Sequence, residues 1–486
     1  MSRPVDRVRR LLPLALLLGL SGCSLAPTYH QPSVGALPDA YAGAAHPDGW
    51  TTADPADTAS RGDWWKVYAD PALDRLENQL NANNPNIAVA LARYEASRAF
   101  EQQLHASQLP QAGVLASPTN DRQSNNRPLR GANQPNEYDT QTLEFAAGYE
   151  LDLWGRIRNA VAAGTAESDA SAADLASARL SLQAQLADLY IRLRGYDVQA
   201  RIVQDSLDAY GQGRDMTRQR MEGGVSSGLD VARADAQFAD AQAQASELRA
   251  QRALTVHAIA ALVGVPASGF SVPPSPSAMT VPAIPLGVPS TLLQRRPDIA
   301  GAERRTFAAN ANIGVARAAF FPTLSLSAAI GWQDVGQGNL LAAGNRFWAL
   351  GPLASLSLFD GGLRRARVAQ ARAELDAASG QYRAVVLSAF QQVEDNLSLL
   401  QELGREAMQE DAAAAAANES QTLATNRYKE GVVSYLDVVS AQTTALQAER
   451  TAELVRTRRL QASVDLIRAL GGGWEASAKD TQITKR

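Results

Sequence analysis

The chain has 486 residues, of which 45% are hydrophobic and 20% are charged, and this composition predicts a folded protein long enough for several domains. Its formal net charge of -4 at pH 7 argues against a nucleic-acid-binding protein, which needs a basic surface. The only cysteine is Cys23, so no disulfide can form within the chain and stability must come from packing.

The N-terminus has the parts of a bacterial lipoprotein signal. Four arginines in the first ten residues precede the apolar run 11–20, which is too short to cross a bilayer as a helix. The run ends in Leu-Ser-Gly-Cys, which looks like a lipobox, where the cysteine thiol is acylated and cleavage falls just before it. We therefore predict a signal peptide at 1–22 and a lipidated extended segment at 23–62. Ser24 implies retention in the outer membrane; the alternative is an ordinary secretory signal with a stray cysteine.

Short motifs recur in the same order in the two halves of the chain. Asn-Asn-Pro-Asn-Ile-Ala at 83–88 returns as Arg-Arg-Pro-Asp-Ile-Ala at 295–300. Gly-Val-Ser-Ser-Gly-Leu-Asp-Val at 224–231 returns in similar form at 431–438. A looser match joins Leu-Asp-Leu-Trp, which begins at Leu151, to Leu-Ser-Leu-Phe in the second half. The separation stays at roughly 205 to 212 residues, which predicts an internal twofold repeat.

The repeat and the Pro/Ser-rich stretch between its copies divide the chain after residue 62. The predicted parts are the first repeat at 63–264, a linker at 265–289, the second repeat at 290–473 and a C-terminal tail at 474–486. Each repeat is expected to contain a helix, two strands and a long helical hairpin. The strands are predicted near 112–124, 138–153, 322–334 and 346–359.

The predicted strands alternate between apolar and polar residues with a period of two. On the second strand the apolar positions are Leu143, Phe145, Ala147, Tyr149 and Leu151. This alternation over about ten residues is typical of outer-membrane strands. The alternative, a strand of a soluble sandwich, needs about seven strands or more, and this chain offers about four. Four strands cannot close a barrel alone, but several copies of the chain can supply the rest.

The long helices carry coiled-coil spacing. Apolar residues are separated by 7, 4, 3 and 4 positions at Leu175, Leu182, Leu186, Leu189 and Leu193, and again at Leu375, Tyr382, Val386, Ala389 and Val393. The predicted helices, 157–210 and 363–424, would be roughly 80 Å and 90 Å long at 1.5 Å per residue. Such lengths suit a tube or a stalk. A lipid-anchored coiled-coil scaffold without a pore is the alternative, although it leaves the amphipathic strands unexplained.

Three stretches carry a resemblance to a known family. They are Trp-Trp-Lys-Val-Tyr-Ala-Asp-Pro-Ala-Leu-Asp-Arg-Leu at 64–76, Asn-Arg-Tyr-Lys-Glu-Gly-Val-Val-Ser-Tyr-Leu-Asp-Val at 426–438, and Ala-Leu-Gly-Gly-Gly-Trp at 469–474. Together they resemble the TolC-like outer membrane factors, the outer membrane efflux family. The lipobox at Cys23 points to the NodT-like lipoprotein branch.

The resemblance implies a mixed α/β membrane protein. Three protomers would each give four strands to one twelve-stranded outer-membrane β-barrel, continuous with a long periplasmic α-helical coiled-coil barrel. Such a homotrimer, anchored in outer-membrane lipid, would pass drugs and toxic small molecules to the exterior. The implied partners are a periplasmic adaptor protein and an inner-membrane RND-type pump. The family hydrolyses nothing and uses no cofactor.

The resemblance also implies a periplasmic gate at the helical hairpins. Arg427 and Tyr428 match the family's arginine and tyrosine that tether the inner coiled coil, and Asp230 matches the acidic partner on the neighbouring hairpin. Asp437 matches an aspartate that faces the pore, and Leu436 is expected to add an apolar constriction. Three symmetry-related carboxylates would attract cations and raise their own pKa.

Two positions depart from the family pattern, which puts ion selectivity in doubt. Ser440 stands where the family often has a second aspartate, and Thr443 where many lipoprotein members have an arginine. A different role is open for Asp230 and Asp437, because each follows a Ser that precedes a helix and is suited to N-terminal capping. Capping and gating do not exclude each other.

Other function classes have weaker support in the sequence. The histidines at positions 30, 46, 105 and 257 have no metal-ligand spacing, and no catalytic triad motif is visible. A lipoprotein enzyme is therefore disfavoured. A duct for type I protein secretion remains the alternative within the same architecture. Trp64 and Trp65 are expected to pack against helices rather than to bind a ligand.

Overall fold

A computed structural model describes residues 24–33, 35, 62–126, 135–275, 279–282, 284, 296–335 and 338–472. The predicted signal peptide, the lipidated Cys23 and the C-terminal tail lie outside these residues. None of the described helices is both long enough and apolar enough to cross a membrane.

The described elements alternate between helices and pairs of strands. The helices are α1 (Pro71–Asn83), α2 (Pro85–Ala106), α3 (Arg156–Glu222), α4 (Gly228–Leu262), α5 (Pro297–Ala318), α6 (Leu363–Lys429) and α7 (Tyr435–Ala469). The strands are β1 (Gln111–Arg122), β2 (Glu137–Leu151), β3 (Thr323–Asp334) and β4 (Arg346–Ser355). Short 3₁₀ helices lie at Trp64–Tyr68, Ala267–Gly269 and Ala343–Asn345.

Most corresponding elements of the two halves have equal lengths, the exception being β2 with 15 residues and β4 with 10. Helices α2 and α5 both have 22 residues, and strands β1 and β3 both have 12. Helices α3 and α6 both have 67 residues, which makes each about 100 Å long. Helices α4 and α7 both have 35 residues. The order helix, two strands, long helical hairpin therefore occurs twice among the described residues.

Local sequence signals explain where α1 and α2 begin. The Asp70 carboxylate accepts hydrogen bonds from the backbone N–H groups of Ala72 and Leu73, at 2.8 and 3.2 Å. Pro71 occupies the first position of α1, where its missing N–H costs nothing. Asn84 and Pro85 repeat this arrangement at α2, because the Asn84 side chain accepts from the next free backbone N–H groups.

The described residues fall into two compact units. The first takes its described residues from Met1–Pro32, Arg93–Ser171 and Ala302–Tyr382, and the second takes its described residues from Ser33–Ala92, Ala172–Gly301 and Arg383–Arg486. We call them the sheet unit and the hairpin unit.

The sheet unit contains one antiparallel sheet in the order β1-β2-β3-β4. Its register brings apolar residues of neighbouring strands side by side, as in the row Val114, Phe145, Ile330 and Trp348. These four side chains are between 46% and 70% exposed. Among the described residues one face of the sheet is therefore apolar and uncovered, and the outer edges of β1 and β4 have no partner strand.

An extended segment at residues 24–33, which we call the strap, has its residues 24–32 in the same unit, where it contacts α5. The Leu25 and Pro27 carbonyl oxygens accept hydrogen bonds from Arg317 at 3.1 Å and Asn310 at 2.9 Å. The Tyr29 hydroxyl donates to Glu303 at 2.8 Å. These α5 partners are spaced seven residues apart, or two helical turns, so alternate strap residues meet one face of the helix.

The hairpin unit has a buried core with a charged network at its edge. Asp197 accepts hydrogen bonds from Arg194 at 2.9 Å and from Arg252 at 2.7 Å. The two guanidinium groups also donate to the carbonyl oxygens of Pro273 and Val272. This network fixes the first residues of the predicted linker against α3 and α4. In the same unit Trp64 and Trp65 are buried, as the sequence predicted.

The first long helix continues past its predicted end. The predicted helix ends at Tyr210, but α3 runs to Glu222 and passes through the glycines at 211 and 213. A Cβ at Gly211 would lie 3.5 Å from the Phe238 ring, and one at Gly213 would lie 3.2 Å from the Tyr435 hydroxyl. The glycines thus permit close approach of neighbouring helices and do not end the helix.

Candidate gate at the helical hairpin turns

The turns α3–α4 and α6–α7 are built alike. After α3 the chain turns at Gly224 with φ +75°, and after α6 it turns at Gly431 with φ +79°. This left-handed conformation suits glycine, which has no Cβ to clash. The N–H of Val225 donates to the Arg220 carbonyl at 2.8 Å, and that of Val432 donates to the Arg427 carbonyl at 2.9 Å. Both long helices therefore end with satisfied backbone groups.

A serine and an aspartate start the second helix of each hairpin. Asp230 accepts hydrogen bonds from the Ser227 hydroxyl at 2.8 Å and the Ser227 N–H at 3.2 Å, and the Asp230 N–H donates to the Ser227 hydroxyl. Asp437 accepts from the Ser434 hydroxyl at 2.7 Å and the Ser434 N–H at 2.9 Å. Both aspartates thus cap helices, which was the alternative considered for them.

The capping bonds lower the pKa of both aspartates. For Asp230 the main cause is the hydrogen bond from the Ser227 side chain, and for Asp437 it is the bond from Ser434. Within one chain this direction is opposite to the rise that a ring of three Asp437 carboxylates would produce. Both carboxylates are therefore charged at neutral pH in the single chain.

The two hairpins of one chain meet in a small apolar cluster. Ala234 of α4 packs with Tyr428 of α6 and with Tyr435 and Val438 of α7, and we call these four residues the hairpin cluster. The rings of Tyr428 and Tyr435 lie with centroids 5.3 Å apart. Burial raises the pKa of Tyr435 to about 12, so its hydroxyl stays neutral at physiological pH.

Arg220 of α3 joins this cluster from the opposite hairpin. Its guanidinium carbon lies 4.6 Å from the centroid of the Tyr428 ring, and its Nη1 donates to the Tyr428 carbonyl oxygen at 2.7 Å. Arg220 is a contact residue that the sequence motifs did not indicate. The internal repeat could have indicated Arg220 as the counterpart of Arg427. Arg220 precedes Gly224 by four residues, and Arg427 precedes Gly431 by the same four residues.

Within a chain the structure does not join Asp230 to Arg427 or Tyr428, although the Arg427 charge contributes to lowering the pKa of Asp437. Among the described residues, Asp230 forms hydrogen bonds with Ser226 and Ser227 and an ion pair with Arg233 at 3.7 Å, and none with Arg427 or Tyr428. The tether of Arg427 and Tyr428 to Asp230 on a neighbouring hairpin stays a prediction.

The remaining gate candidates share the exposed face of α7. Leu436 is 49% exposed, and Asp437, Ser440 and Thr443 are also exposed. The opposite face is buried and consists of Tyr435, Val438, Gln442, Ala445 and Leu446. The hairpin therefore presents one carboxylate and several hydroxyl groups outward. Within the parts of the chain that the structure describes, no group of three or more His, Cys, Asp or Glu residues is placed to hold a metal ion.

Comparison with known proteins gives matches along both halves of the chain. The model of the outer membrane efflux protein family matches residues 76–265 and 288–472. Outer membrane protein OprJ of Pseudomonas aeruginosa is 33% identical over 478 residues, which cover 98% of this chain and 97% of OprJ. The toluene efflux pump outer membrane protein TtgC of Pseudomonas putida is 31% identical, with 94% of this chain and 93% of TtgC covered. The solved outer-membrane channel OprN has a TM-score of 0.82 at 31% identity, covering 93% of this chain and 100% of that one.

Proposed function

This chain belongs to the family of outer membrane efflux proteins, and from that premise we propose that three copies of it form the exit duct of a tripartite efflux pump. The chain acts in the outer membrane as an efflux protein, which is the role of its family and of the relatives that it matches over more than nine tenths of their length. The trimer, the closed barrel and the gate are the proposed parts.

The observation that carries the proposal is the four-stranded sheet with one uncovered apolar face and two free edges. Exposed edges and a broad apolar face are costly in water. In lipid the apolar face is favourable, but unpaired backbone groups are not. Three copies joined edge to edge would pair every strand in a barrel of twelve.

The proposed partners and cargo follow from the family. A periplasmic adaptor and an inner-membrane RND-type pump would deliver the cargo to the duct. The relatives include pump proteins for toluene, for solvents and for an antibiotic. We therefore propose small molecules, rather than secreted proteins, as the cargo of this chain. Acylation of Cys23 would anchor the assembly in outer-membrane lipid.

The proposed gate uses the hairpin turns of all three copies at the periplasmic entrance. Arg427 is exposed at the end of α6. In the trimer it would donate to Asp230 of a neighbouring copy, and a charge-assisted hydrogen bond of this kind contributes about 1.5–3 kcal/mol where the interface shields it from water. Asp437 and Leu436 on the exposed face of α7 would narrow the opening. An adaptor would open it by offering competing contacts.

Single-channel conductance in planar bilayers tests the tether. Arg427→Ala and Asp230→Asn are expected to raise the conductance several-fold, because each removes one side of the link between copies. Ser227→Ala is the matched control, since it weakens the α4 cap but leaves the Asp230 charge in place. Unchanged conductance in both charge variants would refute the tether, as would an equal rise in Ser227→Ala.

Ion selectivity tests the Asp437 ring separately. Asp437→Asn is expected to reduce the preference for cations over anions, because it removes three carboxylates from one level of the pore. Ser434→Ala removes the hydrogen-bond donor from the Asp437 side chain but keeps the charge, so it should preserve the preference. If Asp437→Asn leaves the reversal potential in a salt gradient unchanged, this residue does not line the narrowest part.

A further inference from the structure

The side-chain amide of Asn159 contacts the N-terminal end of the strap, next to the predicted acylation site. We propose that Nδ2 of Asn159 donates a hydrogen bond to the carbonyl oxygen of an acyl chain that is joined as an amide to the α-amine of Cys23. The site would hold the polar end of the lipid anchor against the sheet unit. It rests on the proposed acylation of Cys23, which lies outside the described residues, and adds the protein group that binds the acyl amide.

Asn159 is buried, and only one of its two polar side-chain atoms has a partner. It lies in the first turn of α3 and is 6% exposed. Its Oδ1 accepts a hydrogen bond from the Ser24 hydroxyl at 2.9 Å, whereas its Nδ2 has no hydrogen-bond partner among the described residues. Buried donors in folded proteins are almost always paired. The unpaired amide donor therefore indicates an acceptor that binds here in the mature protein.

The hydrogen bonds of Ser24 set the orientation of this amide. The Ser24 hydroxyl accepts from the Ala26 N–H at 3.3 Å and donates to Oδ1 of Asn159. This arrangement uses the hydroxyl both as an acceptor and as a donor, so Oδ1 faces Ser24 and Nδ2 is the group without a partner. Both atoms belong to one planar amide, so Nδ2 also lies beside the start of the strap.

Helix α5 brings the start of the strap close to Asn159. An added Cβ at Gly314 would collide with Nδ2 of Asn159 and would lie 2.8 Å from the Ala26 nitrogen. The strap and the amide thus approach the same point of α5. Three residues further along this helix, Arg317 donates to the Leu25 carbonyl oxygen at 3.1 Å. The first strap residues are therefore fixed on both sides of the unpaired donor.

Acylation of Cys23 would supply an acceptor at this place. Cleavage before Cys23 frees its α-amine, which would attack the acyl ester of a phospholipid. The C–N bond forms, the ester C–O bond breaks, and the amine proton leaves with the lipid alcohol. The amide carbonyl oxygen is an acceptor, whereas a free ammonium group has only donors. The α-carbon of Cys23 lies about 3.8 Å from that of Ser24, which Asn159 already binds.

The surroundings suit the apolar part of an anchor. Phe320 and Phe321 follow Arg317 by three and four residues and are 41% and 37% exposed. Phe321 stacks on Trp154, with ring centroids 4.7 Å apart, just before α3 begins. Strand β3 begins at Thr323, so this end of the sheet lies next to the same aromatic residues. Acyl chains that leave the site would therefore meet apolar side chains at the end of the sheet.

The internal repeat supports a dedicated role for Asn159. Helices α3 and α6 have equal lengths, and their fourth residues are Asn159 and Ala366. Ala366 is exposed. The amide thus occurs in the helix that contacts the start of the strap and is replaced by alanine in the equivalent helix. The same comparison shows that alanine is compatible with this position of a long helix.

Hydrogen exchange in two forms of the full-length protein tests the site. One form is acylated, and the other carries Cys23→Ala behind an ordinary secretory signal peptide, so that its α-amine stays free. Acylation should slow exchange at residues 24–26 several-fold in the chain with Asn159. Asn159→Ala should abolish this difference between the two forms. Asn159→Asp should abolish it as well, because an ionised carboxylate keeps an acceptor for Ser24 but has no donor.

Asn310→Ala is the matched control, because Asn310 donates to the Pro27 carbonyl oxygen of the strap at 2.9 Å. It should speed exchange by the same factor in the acylated and unacylated forms. The infrared band of the N-acyl carbonyl, labelled with carbon-13 through the fatty acid, gives a second measurement. This band should move to higher wavenumber in acylated Asn159→Ala and should stay in place in acylated Asn310→Ala.

The mass of the N-terminal peptide separates the possible failures. A peptide without an acyl group on the amine of Cys23 overturns the site, and one without any acyl chain also overturns the proposed acylation, while the proposed exit duct is left to its own tests. An acylated peptide with equal effects of acylation in the chains with and without Asn159 overturns the site alone. A shift of the ester carbonyl bands in place of the amide band overturns it too, because the donor would then bind the thiol-linked group.

Discussion

Arg220 donates to the Tyr428 carbonyl oxygen at 2.7 Å while its guanidinium lies over the Tyr428 ring at 4.6 Å. One side chain of the first hairpin thus binds both the backbone and the ring of the second. The long helix α6 ends one residue later, at Lys429, so the contact fixes the two turns of one chain against each other. Any opening that separates these hairpins must break it.

Loss of this contact should loosen the closed entrance. Arg220→Ala removes a hydrogen bond from a charged donor, worth about 1.5–3 kcal/mol, together with the cation–π contact. We expect a several-fold rise in the open fraction of single channels. Arg218→Ala is the control, because Arg218 forms only an exposed ion pair with Asp235. Equal behaviour of the two variants would show that the contact does not hold the hairpins.

The strap should depend on the absence of a side chain at Gly314. A Cβ there would lie 2.8 Å from the Ala26 nitrogen and would also collide with the Asn159 amide. Gly314→Ala is therefore expected to displace the strap and to speed hydrogen exchange at residues 24–33. Gly380→Ala, in a helix of the same unit with nothing near the added atom, should leave exchange unchanged. Identical exchange in the two variants would contradict the packing described for Gly314.

Glu77 should make stability fall as the pH rises. Its carboxyl group is fully buried and neither oxygen has a hydrogen-bond partner among the described residues, and burial raises its pKa from 4.5 to about 9. Between these values the unfolded chain gives up the proton that the folded chain keeps, so ionisation favours unfolding. The contribution is fully present below pH 4.5 and is lost as the pH approaches 9, at on the order of 1 kcal/mol per pH unit.

Thermal unfolding at several pH values tests this dependence. The midpoint of the wild-type protein should fall more steeply between pH 5 and pH 9 than that of Glu77→Gln, which cannot ionise but has nearly the same shape. Parallel curves for the two proteins would mean that Glu77 already ionises in the folded chain.

The network around Asp197 should contribute more to the free energy of unfolding than an exposed ion pair does. Asp197→Ala would leave the buried Arg194 without its carboxylate, and breaking a buried pair in this way costs about 3–5 kcal/mol. Glu402→Ala is the control, because Glu402 and Arg405 form an exposed pair worth about 0–1 kcal/mol. Denaturant unfolding should show a large loss for the first variant and almost none for the second. Equal losses would contradict the role given to burial.

The periodic parts of the fold could be predicted from the sequence, and the sites of close approach could not. The alternation from Leu143 to Leu151 and the heptads on α3 and α6 are local patterns, so they can be recognised without knowing which other parts of the chain pack against them. The predicted end of α3 at Tyr210 was wrong, and the helix continues through Gly211 and Gly213 although glycine has a low helix propensity. The close approach of Phe238 and Tyr435 explains why glycines stand at these two positions, and both partners are distant in sequence.

The candidate site was predicted in part for the same reason. The Ser-x-x-Asp spacing at Ser227 and Asp230 is a local capping signal, and the structure confirms the capping role that the sequence left open. Arg220 contacts Tyr428, some two hundred residues later, and only the repeat could have indicated it. The burial of Glu77 could have been predicted, because Glu77 lies on the same helical face as Leu73, Leu76 and Leu80.

The most direct test of the shared barrel is the native mass of the protein extracted from outer membranes in mild detergent, with the detergent contribution subtracted. We expect a mass near three chains, because four strands supply only part of a closed barrel and three copies complete it. A mass of one chain in every mild detergent would contradict the shared barrel and the gate built on it.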